Sequence, residues 1–307
     1  MVRWRSQASA ASTGVGSAPI AQGMAREQLS SDPGENAPGL PAEARGPRKP
    51  RRDAVSGRTA ACESRRILGM RVHATSYSET AEAVLEMAST RAGGMVCVAT
   101  VHMVMEAFDD PEFRRLVNSA DRVTPDGMPL VWALRARGIP EASRVYGPSL
   151  TPEICARAEQ RGVPVGFYGG SPEVIEMLRT RLLERFPRLQ VPFAHSPPFR
   201  PLTPREDRDV ADAIAASGLR ILFVGLGCPG QERWMAAHRA ALSCAMVGVG
   251  AAFDFLAGAK AQAPLWLQNA GLEWLFRLAH EPRRLWRRYL VGNGRFLLHL
   301  LLRGDPG

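Results

Sequence analysis

The stretch VPVGFYGGSPEVIEMLRTRLLERF, Val163–Phe186, decides the fold. It opens with a short apolar run, the pattern of a strand buried on both faces. Gly169 and Gly170 end that run. Ser171 suits a helix N-cap, Pro172 suits the first helical position, and a helical period follows. The unit is strand, glycine turn, helix, and it recurs along the chain. "RILGMRVHA" precedes a helix near 78–91, "GMVCVAT" (94–100) precedes helices near 101–118, and "ADRVTP" leads into a helix at 127–137. "QVPFAH" precedes a helix near 204–216, "LRILFVGLG" precedes one near 229–241, and "CAMVGVGAAFD" follows. Strands alternating with helices predict an α/β fold, a mostly parallel sheet with helices on both faces. Ligands of such sheets bind at the carboxyl ends of the strands.

Around this region, 65–262, lie two segments of different character. Residues 1–64 are rich in Ser, Ala, Gly, Pro and Arg without any period, and are expected to be disordered. Met24 and Met70 offer later starts. Residues 263–307 are helical, aromatic and Arg-rich, broken by Pro282 and the Gly292–Gly294 pair, and read as a helical appendage outside the sheet. The net charge of +9 sits at the two ends: residues 1–66 carry +5, residues 271–307 carry +4, and the middle is neutral. A neutral core argues against nucleic acid as a partner and makes the basic ends candidates for an anionic surface. Five scattered Cys without a CxxC pair suggest a reducing compartment, with neither a disulfide framework nor a zinc site. No apolar run reaches spanning length, and no secretory signal is legible.

The unusual residues stand at the strand ends. In "VTPDGMPLVW" (Val123–Trp132), Asp126 sits between an apolar run and a helix, placed either to cap that helix or to accept a proton from a substrate. Thr100 and His102 follow "GMVCVA"; Thr100 could cap a helix or bind a sugar hydroxyl, and a lone His is more often structural than catalytic. "FVGLGCPGQERW" spells GxGxxG with Gly225, Gly227 and Gly230, and free N–H groups at the next helix favour an anion such as a diphosphate. As a dinucleotide fingerprint it is weak. It lies late in the chain, and the expected ribose-binding acid falls among Val247–Gly250, where there is none. Gln231 and Glu232 put polar groups in the first turn instead. Cys228 could gain acidity there, but filler is the simpler role. Asp254 lies in a small-residue turn that it could merely tie together. The string Asp207-Arg208-Asp209 falls in an amphipathic helix at the wrong end of a strand, so no metal site is read from it.

In the appendage, Arg277, Arg283, Arg284, Arg287, Arg288 and Arg295 interleave with Trp274, Phe276, Leu285, Trp286, Tyr289 and Leu290. That mixture fits a phosphate clamp or an interfacial membrane helix. It also fits packing on the chain's own core or on a neighbouring subunit of a homo-oligomer.

Together "TPDGMPLVW", "RVYGPSL", "VGFYGGSPEV", "FVGLGCPGQERWM", "GVGAAFDFLAG" and "APLWLQNAGLEWLFRLAHEPRRLWRRY", in this order and spacing, resemble the WecG/TagA/CpsF family of bacterial glycosyltransferases over roughly Ile67–Tyr289. The resemblance implies a Rossmann-like α/β core with a membrane-meeting helical appendage. It implies inverting transfer of an N-acetylmannosamine-type sugar from a UDP-sugar donor to a polyprenyl-diphosphate-linked acceptor in surface polysaccharide synthesis. The implied setting is cytoplasmic, peripheral on the inner face of the membrane, with no metal or other cofactor. It implies Asp126 as general base, with Thr100, Arg144 and Gln231 as substrate or donor contacts. The appendage arginines, above all Arg277, Arg284 and Arg287, would then grip the acceptor diphosphate; His102, Gly225, Gly227 and Asp254, all at strand ends, are the further candidates for the substrate site. Where the family usually carries Asn, Lys, Asp and a basic pair, this chain has His102, Gly230, Ser149 and Ala261-Gln262. The first two bear on the donor, so a hexose or uronic acid is an alternative sugar. An NAD-dependent oxidoreductase and a non-catalytic membrane-binding scaffold are the rival readings.

Overall fold

A computed structural model describes residues 62–90 and 93–302, the Asn269 side chain excepted. The expected disorder of 1–64 thus concerns residues that lie, up to 61, outside the described ones. In chain order the elements are β1 (Ser64–Ile67), β2 (Met70–His73), α1 (Tyr77–Thr90), β3 (Gly94–Ala99), α2 (Val101–Asp109), α3 (Pro111–Asn118), β4 (Arg122–Pro125) and α4 (Met128–Ala136). Then come α5 (Gly147–Arg161), β5 (Val165–Gly169), α6 (Pro172–Arg185), β6 (Phe193–His195), α7 (Pro204–Ala216), β7 (Ile221–Gly225), α8 (Gly230–His238), β8 (Ala245–Gly248) and α9 (Ala252–Leu256). The C-terminal part holds α10 (Leu265–Asn269), α11 (Glu273–His280), α12 (Pro282–Trp286), a π-helical stretch Arg287–Val291, and α13 (Gly292–Leu302).

Six strands form one sheet in the order β4-β3-β8-β7-β5-β6, every pair parallel. The period-two pleat divides the core. Met95, Cys97, Leu222, Val224 and Met246 face α2, α3, α4 and α8. Val96, Val98, Phe167, Phe223 and Val247 face α1, α5, α6 and α9. Both faces are covered, which is why the strands read as continuous apolar runs. The α/β expectation with helices on both faces therefore holds, as do the C-terminal helices. Ser171 caps α6 by accepting from the Val174 N–H, as the opening stretch predicts.

Two local readings differ. "RILGMRVHA" is not one strand but the antiparallel hairpin β1–β2, turning on Leu68 (φ +48°) and Gly69 (φ +85°). A β-branched or bulky residue seldom takes positive φ, so Leu68 hid the turn. The helices read over 101–118 are borne out and meet at Asp110, whose carboxylate accepts from the N–H groups of Glu112 and Phe113. Helix α5 went unread because it carries Pro148 and Pro152. Pro148 sits in the first turn, where no N–H is needed. Around Pro152 the Thr151 hydroxyl donates back to the Gly147 carbonyl at 3.0 Å.

The chain leaves β3 for β4 on one side, then returns to build β5 to β8 on the other. The order reverses between β3 and β8, and a crevice opens outside their carboxyl ends, the usual ligand position in such a sheet. The C-terminal helices lie over that region. Phe296 anchors them, buried in the sheet's core cluster at 1% exposure. Arg295 forks onto Asp109 at 2.7 and 2.9 Å, and His299 packs on Phe108 with ring centroids 4.5 Å apart. Truncating Phe296 to Ala would cost about 3–5 kcal/mol.

Candidate active site

Asp126 ends β4 with its backbone clamped. Its N–H donates to the Ala99 carbonyl at 2.9 Å, and its carbonyl accepts from Arg144 Nε. The next residue, Gly127, is the N-cap of α4, and no side chain caps that helix. Asp126 is therefore not a cap. Its carboxylate points into a solvent-open cleft of about 650 Å³, which Thr100, His102, Arg144 and Tyr146 also line. From the C-terminal helices Gln268, Glu273, Trp274, Arg277, Arg288 and Tyr289 close it.

One guanidinium joins the two parts. Arg144 Nη2 donates to Glu273 Oε2 at 2.5 Å and stands 3.3 Å from Asp126 Oδ1. The Arg144 guanidinium also lies over the Tyr146 ring, 4.1 Å from its centroid. Burial pushes the Asp126 carboxyl up to about 6; Arg144 opposes this and Glu273 reinforces it. A carboxylate of that basicity is ionised at neutral pH and still accepts protons there, as a general base requires.

Two more guanidinium groups face the cleft. Among the described residues, no carboxylate pairs with Arg277 or Arg288 at salt-bridge distance. Arg277 lies over the Phe255 ring, 5.3 Å from its centroid. Arg288 makes one long contact, 3.4 Å, to the Thr100 hydroxyl, and its buried Nε has no partner. Burial, and Arg277 nearby, lower the pKa of Arg288. Two neighbouring cations with no carboxylate at salt-bridge distance among the described residues, and with a donor left over, suit a dianion such as a diphosphate. Thr100 is the N-cap of α2 but makes no capping bond, which leaves its hydroxyl to the cleft. His102 is held neutral: burial, then Arg288, bring its pKa down to about 4.

The remaining expected site residues fall elsewhere. Gln231 is buried, receiving the Gly250 N–H on Oε1 at 3.0 Å and donating from Nε2 to Glu232 Oε1 at 2.6 Å. It braces the turn after β8 and does not line the cleft. Asp254 pairs with Lys260 at 3.3 Å, so the turn-tying role is the one observed. Gly225 owes its lack of a side chain to packing, since a Cβ there would stand 2.5 Å from the Phe253 ring. Gly227, at φ +83°, serves the turn. Burial raises the Cys228 thiol, so it stays protonated. Arg284 turns to Glu281, and Arg287 lies over Trp286, 5.2 Å from the ring centroid; neither lines the cleft. Of Arg277, Arg284 and Arg287 only Arg277 lines the cleft, and Arg288 lines it as well. Arg288 stood among the clamp candidates of the appendage without being singled out, and Glu273 carried no site role in the sequence reading. Asp207 of the discounted Asp-x-Asp string accepts from Trp234 Nε1 at 3.1 Å and pairs with His238 at 3.1 Å.

A covered parallel sheet with a carboxylate and a cationic pair in one cleft at its carboxyl edge is an α/β fold with a site whose charge suits an anionic ligand. Comparison with known proteins narrows this. A model of the glycosyl transferase WecG/TagA/CpsF family matches residues 65–305. The chain is 33% identical over 199 residues to an N-acetylglucosaminyldiphosphoundecaprenol N-acetyl-beta-D-mannosaminyltransferase of Bacillus spizizenii, an overlap of 64% of this chain and 75% of that one. The chain belongs to the WecG/TagA/CpsF family and is a glycosyltransferase. That assignment displaces both the oxidoreductase and the non-catalytic scaffold.

Proposed function

We propose that this glycosyltransferase moves a sugar, N-acetylmannosamine or a relative, from a UDP-sugar to a polyprenyl-diphosphate-linked acceptor with inversion at the anomeric carbon. The observation that carries the reading is the pairing, in one cleft, of the basic Asp126 with the unpaired Arg277 and Arg288. The acceptor hydroxyl oxygen attacks the anomeric carbon, the bond from that carbon to the UDP oxygen breaks, and the hydroxyl proton passes to Asp126. Such base catalysis is worth about 10²–10⁴ in rate. One carboxylate suffices for direct displacement, because no second acid is needed as nucleophile. Arg277 and Arg288 hold diphosphate charge, and the Thr100 hydroxyl positions a sugar or phosphate oxygen beside Arg288. The relative's name, which specifies a lipid-diphosphate-linked N-acetylglucosamine as acceptor, supports the choice of acceptor class.

The core, 65–262, carries the base, and 263–307 brings in the acceptor from the membrane. No helix among the described residues is long and apolar enough to cross a bilayer. The C-terminal helices instead expose Leu265, Trp266, Leu290, Val291, Leu297, Leu298, Leu301 and Leu302, with Arg283, Arg284 and Arg287 alongside. Exposed apolar groups edged by Arg suit the headgroup boundary of an anionic bilayer. We place the protein as a peripheral enzyme on the cytoplasmic face. The test offers several UDP-sugars in parallel with a short-chain lipid-diphosphate N-acetylglucosamine. Acceptor-dependent UDP release with one donor supports the reading and names the sugar; release from none contradicts it.

A further inference from the structure

We propose that Glu273 is a positioning residue of the active site: by taking the Arg144 guanidinium, it keeps that cation from neutralising Asp126, so the base is competent only while the C-terminal helices are seated. This rests on the reading of Asp126 as base.

The geometry is specific. Glu273 opens α11, is buried at 9% exposure, and receives Arg144 Nη2 at 2.5 Å. The same nitrogen is 3.3 Å from Asp126 Oδ1, so the shorter bond goes to the appendage. Arg144 Nε is fixed on the Asp126 carbonyl, which pins the guanidinium between two carboxylates. Remove Glu273 and the same Nη2 has one carboxylate left within reach. A full Arg–Asp pair would lower the acidity constant of Asp126 and weaken it as a proton acceptor. The other groups facing Asp126 are Arg277 on α11, Arg288 and Tyr289 on the π-helical stretch, and Tyr146 before α5. Both arginines also favour the ionised carboxylate, so among the described residues Glu273 is the carboxylate that, with burial, opposes three cations. Its charge is thereby part of the chemistry, although it touches no reacting atom.

The pairing also links two events. Glu273 reaches Arg144 only when α11 lies on the core, and the same helix carries Arg277 into the cleft. Base activation and anion binding therefore arrive together, which would limit donor hydrolysis by the enzyme with its helices displaced.

The test compares full-length wild type, Glu273→Gln and Glu273→Asp. The Gln variant keeps an oxygen for Arg144 but loses the charge; the Asp variant keeps the charge. We expect the acidic limb of kcat/KM for E273Q to move down by roughly one pH unit, with a lower plateau, while E273D keeps the limb near its wild-type place. Carboxyl infrared titration of ¹³C-aspartate-labelled protein, read against D126N, should move the Asp126 midpoint the same way without any turnover. Should E273Q fail to fold, Glu273→Ala carries the same expectation. An unmoved limb and midpoint in a folded variant overturn the proposal, as does a loss of rate at every pH without a shift. If D126N itself remains active, the base reading fails instead, and the infrared midpoint still reports whether Glu273 tunes Asp126.

Discussion

Glu273, the first residue of α11, accepts a 2.5 Å hydrogen bond from Arg144, which stands 129 residues earlier beside Asp126. The bond makes the C-terminal helices part of the cleft wall. It also gives Asp126 an environment that neither segment could supply alone: burial and Glu273 raise its proton affinity, and Arg144 tempers it.

The rate should follow that affinity. With the carboxyl pushed up to about 6, kcat/KM is low when Asp126 is protonated and rises through about pH 6 to a plateau. His102, held near 4 by burial and Arg288, is neutral throughout and adds no limb in this range. A pH profile from 5 to 9 checks this; a rate unchanged between pH 5 and 8 would contradict it.

The same shift predicts a stability effect of opposite sign to the catalytic one. A carboxyl whose folded pKa is raised binds its proton more tightly in the native state, so ionisation destabilises the fold as pH rises from the ordinary carboxylate range through about 6. Replacing it by Asn removes that cost. At pH 8, D126N should be more stable than wild type by up to about 3 kcal/mol, and the gap should close towards pH 4. Denaturant melts at the two pH values decide it. Equal stability at both would mean the carboxylate is compensated in the fold.

The arginines should separate by position. Arg288→Ala and Arg277→Ala should each raise KM for donor or acceptor about 10- to 100-fold, the loss of a charge-assisted contact. Arg284→Ala and Arg287→Ala, which point away from the cleft, should leave KM for a short-chain acceptor within about 3-fold and weaken binding to anionic vesicles instead. Because the cationic pair takes the diphosphate charge, activity should also survive EDTA. Equal KM effects at all four positions, or loss with EDTA, would count against this division.

The apolar face has its own test. Trp266→Glu together with Leu301→Glu, at 68% and 82% exposure, should reduce sedimentation with anionic vesicles while the melting temperature stays within a few degrees. Unchanged sedimentation would remove this face from the membrane reading.

The sheet was legible because β3, β5, β7 and β8 are buried on both faces, and because Ser171 and Asp126 mark where a strand gives way to a helix. What escaped was set by contacts remote in sequence or by backbone exceptions. Leu68 turns a hairpin at a φ that its side chain disfavours, and Pro152 sits inside a helix, beside a Thr151 hydroxyl that donates to the Gly147 carbonyl. Asp126 was found as a candidate, but cap and base could not be told apart until Gly127 proved to be the cap. The choice among arginines failed at Glu281-Pro282, where α11 ends and a new helix starts, followed by a π-helical stretch. Helical spacing does not carry across such a break, so Arg284 and Arg287 face outward and Arg288 faces in. Gln231 belonged to a matching motif, yet its side chain is occupied by Gly250 and Glu232. Glu273 had no local mark at all, since its role depends on Arg144.

The proposed mechanism has Asp126 take the acceptor proton. The most direct measurement is acceptor-dependent UDP release by D126N beside wild type at pH 8, with the identified donor and with folding checked by a melt. The account predicts a folded, donor-binding variant whose release falls by at least about 10²-fold. Release at the wild-type rate would contradict it and move the base to another residue.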